Sequence, residues 1–448
     1  MMRRGDRLKI SYLQSRHLFT RFKHDVMKRC IGLVTKVVFC FFLILICHFA
    51  CLTETKAQYP GINEDIARNR QGVLIIKAKP GSQVMVEQLS HEFWFGCAIS
   101  NGFGSGSMSE DDARQYNEKF LKNFNAAVTE NAVKWGNMET RKGEVNYAVV
   151  DAILKWTEEN HIPLRAHNLF WGIPNRVQPW LKEMDDNELR QTLQHRAETI
   201  TKRYKGRFAE YDLNNEMVHG NYYEDRLGPE ITKLMAQWAQ HGDPEAKLFL
   251  NDYDILTGNK LGEYMAQIRK LQGQHVPIAG IGVQGHLHSD TFDRHQLKNA
   301  LDSLAIFKLP IRITEFNIPG QRSKYYTDKI LVMTPEEEEL KAKEIVDYYK
   351  ICFAHPAVEG ILMWGFWEGA NWIPVSSLYK RDWSPTPAAE AYQNLIFKTW
   401  WTKDSGTVGK DGVYSIPAFY GKYSVTINGI SKEIGLRKAD GKATVDFR

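Results

Sequence analysis

Between Gly72 and Phe95 apolar and polar positions alternate, with VLIIKA leading to Pro80-Gly81, then VMVEQL, then FWF. That period of two, with turn residues at the joints, predicts short strands. From about residue 96 to 397 the pattern changes to short apolar runs: AAVTE, IPLRAHNLFW, AEYDLNNE, AKLFLND, IAGIGVQGH, LPIRITEF and VEGILMWGF. Helical spacing separates them, and helices are predicted over 149–159, 186–204, 262–271 and 335–354. Strand and helix alternating in this way predict the α/β class, a parallel sheet with helices outside it. Eight such units around one core make a (β/α)8 TIM barrel.

After Trp401 the helical spacing stops, and VYSIPAFYG, KYSVTING and ATVDF again read as short strands. The first strand of a barrel enters at its floor and the last helix ends there. The two β-rich flanks are therefore expected to meet beneath the barrel as one small accessory module. The expected divisions are 1–57, 58–92, 93–397 and 398–448: a leader, an N-terminal flank, the barrel and a C-terminal flank. The run Glu336–Glu339 follows Thr334-Pro335. It reads as a helix start, with Thr as cap, Pro in the first position and acids opposing the dipole.

Charge is unevenly distributed. Of 58 basic and 53 acidic residues, 11 and three lie in 1–56, which leaves 47 and 50 in the rest. The body is mildly acidic, so no basic face for nucleic acid is expected. Within the leader, the apolar run Val37–Ala50 follows Lys28, Arg29 and Lys36 and precedes Thr55-Lys56-Ala57. That is the layout of a secretory signal, so a secreted, extracellular or periplasmic protein is expected. If the leader is retained, it is a membrane anchor. Four of the six cysteines lie in the leader, and Cys97 and Cys352 are too few for a disulfide scaffold. Both are expected as buried thiols.

The chemistry is expected where apolar runs end, because barrel active sites form at strand C-termini. The runs end in Thr129-Glu130-Asn131 with Lys134-Trp135 following, then in His167-Asn168-Leu169-Phe170-Trp171, Asp212-Leu213-Asn214-Asn215-Glu216 and Asn251-Asp252-Tyr253. The remaining ends are Gln284-Gly285-His286-Leu287-His288, Thr314-Glu315-Phe316-Asn317 and Trp364-Gly365. Glu216 and Glu315 close separate strands. Glycoside hydrolysis uses such a pair, one carboxyl protonating the leaving oxygen while the other stabilises or attacks the anomeric carbon. The amides, imidazoles and indoles around them suit sugar hydroxyls and sugar faces. The heavy aromatic load of 12 Trp, 19 Tyr and 22 Phe fits the same reading.

Over residues 93–397 these motifs resemble glycoside hydrolase family 10, the endo-β-1,4-xylanases. The motifs are Glu130-Asn131-x-x-Lys134-Trp135, His167-x-Leu169-x-Trp171, Asp212-x-x-Asn215-Glu216, Asn251-Asp252-Tyr253, Gly282-x-Gln284-x-His286, Ile313-Thr314-Glu315, and Trp364-Gly365 with Trp372 following. The resemblance implies a retaining, endo-acting hydrolase of β-1,4-linked xylan or a related β-linked polysaccharide. Glu216 would be the acid/base and Glu315 the nucleophile. Asn215 would bond the 2-hydroxyl of the sugar under attack, and His286 would hold Glu315. Glu130, Asn131, Lys134, His167, Trp171 and Gln284 would bind and position hydroxyls, and Trp364 and Trp372 would form an aromatic wall. No cofactor is implied, the partner is the polysaccharide, and a monomer is expected. Two rival readings stay open: transglycosylation by the same site, and carbohydrate binding without turnover.

The chain departs from that family at Asn317, where an aspartate is usual, at Gly172, where a histidine is usual, and at Asn214 and in Trp367–Asn371. These positions are expected to alter the pH optimum or the preferred substrate. His286 and His288 share a strand face, yet spacing offers no third ligand, so no metal is expected. The glycines of Asn101–Gly106 do not match a phosphate-binding fingerprint. Trp156, Trp180 and Trp238 are expected as packing residues. Trp400-Trp401 reads as a joint between tail and barrel or as a sugar-binding patch. Asp212 and Asp252 are expected to make structural hydrogen bonds.

Overall fold

The computed structural model describes residues 60–448 apart from His288 and Asp290. The leader therefore lies outside the described residues, as does His288 in the suggested metal pair. Among the described residues no helix is long and apolar enough to cross a membrane.

A helix, Ile62–Arg70, leads into β1 (Gln71–Lys77) and β2 (Gln83–His91). Seven further strands and a two-residue extension then build the barrel wall with β3 (Trp94–Ile99). In chain order these are β4 (Ala126–Thr129), β5 (Leu164–Ala166), β6 (Phe170–Trp171), β7 (Glu210–Asn215), β8 (Leu248–Asp252), β9 (Ile278–Val283), β10 (Ile311–Phe316) and β11 (Val358–Met363). All pairings in this sheet are parallel, and β3 against β11 together with β5 against β7 closes it into an eight-stranded barrel. The FWF run that completes the first alternating pattern thus opens the barrel, whose expected start is residue 93. The apolar stretch IPLRAHNLFW splits into β5 and the short β6, which adds to β7.

The helices between strands observe the expected limits closely: Ala148–Glu159, Asp186–Arg203, Leu261–Gly273 and Pro335–Ala354. Pro335–Ala354 starts where local chemistry placed it. The Thr334 hydroxyl accepts from the Glu337 amide at 3.3 Å, and the Glu337 carboxylate accepts from the Thr334 amide at 2.8 Å. This reciprocal box satisfies two donors that a helix start leaves open. Replacing Thr334 by Ala is expected to lower stability by about 1 kcal/mol, measured as a lower urea midpoint with an unchanged slope.

The tail strands are β12 (Lys403–Thr407), β13 (Val413–Phe419), β14 (Gly421–Ile427), β15 (Ile430–Leu436) and β16 (Lys442–Asp446). They join the N-terminal strands in two sheets, β13-β1-β16 and β12-β2-β14-β15. Alternate residues of both flanks (Leu74, Ile76, Val84, Val86, Tyr423, Val425 and Ile427 among them) form one shared core. The flanks therefore make a single β-module, as their position in the chain predicts. It is joined to the barrel floor by Arg70. The guanidinium donates to the carbonyls of Phe353, His355 and Val358 at 2.5–2.7 Å, where the last long helix ends and β11 begins. Trp400 is buried beside that joint, stacked on Phe353 at 4.2 Å, so it packs tail against barrel. Trp401 is half-buried against His91 and Phe397. Cys97 and Cys352 are buried free thiols.

The barrel centre is charged. Arg165 is fully buried and bonds Glu210 at 2.5 Å and Asp212, which lie two apart on one face of β7. Arg312 grips Glu210 from β10 at 3.1–3.2 Å. Two positions make room for these guanidinium groups. A Cβ on Gly282 would come within 3.0 Å of Arg165 Nη2, and one on Gly360 within 2.8 Å of Arg312 Nη1. Barrel interiors usually hold branched aliphatic side chains, so this quartet is a departure.

Candidate active site

Glu315 is the second-last residue of β10 and is buried, while Glu216 is the first residue beyond β7. The two strands are irregular where the carboxylates emerge. Register slips between Asp212 and Asn215 where β7 pairs with β8, and between Ile313 and Phe316 where β10 pairs with β11. Such irregularities re-aim side chains. Glu216 also has a φ of +61°, a left-handed conformation that a glutamate rarely adopts. Its amide donates to the Asn251 carbonyl at 2.9 Å, which helps hold that conformation.

The two carboxylates have different surroundings. Glu216 accepts from the Trp171 indole and the Gln284 amide, each at 2.8 Å. Burial nevertheless raises its pKa above the ordinary carboxylate range, and the Glu315 charge adds to that effect. Glu315 is held by Asn251 Nδ2 at 3.0 Å and by His286 Nε2 at 3.2 Å, with His167 Nε2 at 3.9 Å. Burial alone would raise Glu315 too. The interactions with His167 and His286 and the Lys134 charge outweigh it and bring the group down to about 2. The two carboxyls are thus shifted in opposite directions, Glu216 up and Glu315 down.

Asn251 is a hub that motif reading left without a role. Its amide N–H group serves both Glu315 and the Asn215 oxygen, the latter at 2.9 Å, while its own oxygen accepts from Thr314 at 2.6 Å. With its oxygen occupied, Asn215 keeps its N–H groups free of protein acceptors among the described residues. It can therefore donate to a ligand hydroxyl.

Asn317 fixes the His286 ring. The Trp372 indole can only donate, so its 2.9 Å bond identifies the Asn317 oxygen. That oxygen also takes His286 Nδ1 at 2.9 Å, and the Asn317 N–H group donates to Ser376 Oγ and the Trp364 carbonyl. His286 thus turns Nε2 to Glu315, and both ring nitrogens are engaged within the protein. The uncharged amide in place of a carboxylate keeps the positioning contact and drops the charge.

The remaining candidates surround this pair. His167 Nδ1 is bonded to Asp212 at 2.8 Å, and its ring meets Trp364 edge-on at 5.2 Å. Lys134 Nζ donates to Asn131 at 2.8 Å and lies 5.0 and 5.6 Å from the Trp171 and Trp364 ring centres. Burial lowers the Lys134 ammonium and raises the Glu130 carboxyl. The Trp372 ring packs on His286 at 4.9 Å. Asp212 and Asp252 bond within the protein as expected. Asp252 takes the Val218 amide, His219 Nδ1 and the Tyr253 amide at 2.7–2.9 Å. Gly172 is enclosed by the loop after β7, where an added Cβ would meet Asn221 and Tyr223 at 3.1 and 3.2 Å.

Comparison with known proteins gives matches along most of the chain. The family model described as Glycosyl hydrolase family 10 matches residues 85–395. Endo-1,4-beta-xylanase 1 of Arabidopsis thaliana is 34% identical over 379 residues, covering 82% of this chain and 38% of the relative. An anti-sigma-I factor of Acetivibrio thermocellus is 33% identical over 371 residues, covering 82% of this chain and 45% of its own. The chain thus spans less than half the length of these two relatives. Among solved structures, native xylanase 10B from Thermotoga maritima superposes with a TM-score of 0.61 at 26% identity, covering 69% of this chain and 96% of that one.

Proposed function

The chain belongs to glycosyl hydrolase family 10, and from that premise we propose that it cleaves β-1,4-linked xylan within the chain and with retention of configuration. The observation that carries this reading is the opposed shift of two carboxyls at the ends of β7 and β10, the half-buried Glu216 raised and the buried Glu315 lowered to about 2. A retaining reaction needs that division of labour.

In the first step an ionised Glu315 oxygen attacks the anomeric carbon while the Glu216 proton passes to the glycosidic oxygen. The C–O bond breaks, the leaving sugar takes the proton, and a glycosyl ester on Glu315 remains. Glu315 has then lost its charge, which removes one of the influences raising Glu216. Glu216, now ionised, accepts a proton from water as that water attacks the anomeric carbon. The ester opens, Glu315 is again a carboxylate and Glu216 is again protonated. Asn215 donates to the 2-hydroxyl, a bond that helps catalysis to the extent that it strengthens in the transition state. Export of the protein is part of the same proposal, supported by the basic and apolar order of the leader, and a polymer substrate outside the cell fits it.

Digestion of xylan by the full chain, with products resolved by size and anomeric form at early times, tests the reading. Internal cuts yielding β-configured xylo-oligosaccharides are the expected result. α-Configured products would defeat the retaining mechanism. Products longer than the substrate would indicate transglycosylation, and tight binding without new reducing ends would indicate a carbohydrate-binding protein.

A further inference from the structure

Three cations stand on the aromatic side chains of the cleft, and none has a carboxylate within ion-pair distance among the described residues. Lys134 lies over Trp171 and Trp364. Arg176 lies over Trp171 with its guanidinium carbon 5.0 Å from the ring centre. Lys329 lies over Trp372 at 5.8 Å and donates to that residue's carbonyl. Arg176 differs from the other two. Lys134 bonds Asn131 and Lys329 bonds a backbone carbonyl, but the Arg176 side chain has no hydrogen-bond acceptor among the described residues, and it is exposed. Its backbone is held in a turn, the amide donating to the Ile173 carbonyl at 2.8 Å.

The electrostatic setting gives that free guanidinium a meaning. The body of the chain carries more acids than bases, yet two cations, Lys134 and Arg176, share one indole in this part of the cleft. Of the nearby carboxyls, Glu216 is engaged by Trp171 and Gln284 and Glu315 by Asn251 and His286, and burial shifts Glu216 and Glu130 toward the neutral form. Arg176 and Lys134 stand on the same indole; burial is the main cause that lowers the Lys134 ammonium, Glu315, Glu130 and Glu216 oppose it, and Arg176 adds a smaller lowering. Two like charges beside one ring are unfavourable by themselves and are relieved by an anion. A planar, five-donor fork resting on an aromatic face is suited to a carboxylate. Its neighbour Trp171 also donates to the acid/base Glu216, so an anion seated there would be on the substrate path.

We propose that Arg176 is a specificity residue that receives the carboxylate of a uronic acid substituent carried by the β-linked polysaccharide chain. The inference rests on the xylan reading above and narrows it to acidic, substituted polymers. Main-chain sugars would be held by the cleft residues and the side group by Arg176, so cleavage would occur at a set distance from each acidic substituent.

The test uses the full chain and one glucuronic-acid-substituted β-1,4-xylan, before and after reduction of its carboxyl groups to hydroxymethyl groups. Reduction removes the charge and leaves the branch. The expected kcat/KM of wild type is about tenfold higher on the acidic polymer, the scale of one exposed charge-assisted contact. Added salt should erode that preference. Arg176→Gln should equalise the two polymers, leave the rate on the reduced one within about twofold, and scatter the cut positions relative to the acidic branch. Equal rates of wild type on both polymers would overturn the inference and leave the xylan reading standing. So would Arg176→Gln slowing both alike, which would mean that the side chain serves Trp171 rather than an anion. Failure to cut either polymer, or unsubstituted xylan, would defeat the xylan reading and this inference with it.

Discussion

Glu315→Gln should leave a folded, polysaccharide-binding protein whose release of reducing ends is lower by at least about 10⁴-fold. The amide keeps the size and shape of the carboxylate, and its oxygen can still take Asn251 Nδ2 or His286 Nε2. What it lacks is the charged oxygen that forms the ester. Glu216→Gln should behave differently, losing about 10²–10⁴-fold on polymer, because it removes a proton donor rather than the nucleophile. An aryl glycoside with an acidic phenol leaves without that proton, so its first step should survive in Glu216→Gln and vanish in Glu315→Gln. The pH profile follows from the same pair. Activity falls as pH drops through about 2, where Glu315 takes a proton, and falls again as pH rises through the elevated range of Glu216, where the donor is lost. Initial rates across pH, with thermal melts of each variant to establish folding, check all of this. A Glu315→Gln enzyme within tenfold of wild type would remove Glu315 from the nucleophile's role.

Arg165→Met should cost about 3–5 kcal/mol of stability, the scale seen when one partner is taken from a buried ion pair. Methionine fills much of the space, so cavity loss is the smaller part. The larger part is charge: Glu210 and Asp212 would remain buried with Arg312, which reaches Glu210, as the nearby guanidinium. Urea titration should show the midpoint move down, and thermal melting a fall of several degrees. A second consequence links the charged barrel centre to the chemistry. Asp212 bonds both Arg165 and His167 Nδ1, and His167 faces Glu315. Loss of Arg165 should therefore lower kcat more than it raises KM, through a looser His167. An unchanged midpoint would show that the charges are solvated or neutralised in some other way.

Much of this protein can be read along the chain, because some of its determinants are local. Helix starts depend on residues three or four apart, so Thr334-Pro335 with its acids marked a helix at its true limits. Strand ends also carry a local signature, since apolar runs that stop at a polar residue mark where the barrel wall meets solvent. Glu216, Glu315 and their companions were legible for that reason. The meeting of the two flanks followed from a topological argument, although β1 lying between β13 and β16 did not. Pairing partners more than 300 residues apart leave no periodic trace. Only tertiary structure decided the rest. Asn251 reads as one polar residue at a strand end until Asn215 from the adjacent β7 and Thr314 and Glu315 from β10, two strands away, converge on it. Arg165, Glu210 and Arg312 look like chance charges in apolar strands until the closed barrel turns them inward. The opposite pKa shifts of the two glutamates are likewise a property of space. Both are the same residue at the end of a strand, and what separates them is burial and the donors that the fold brings to each.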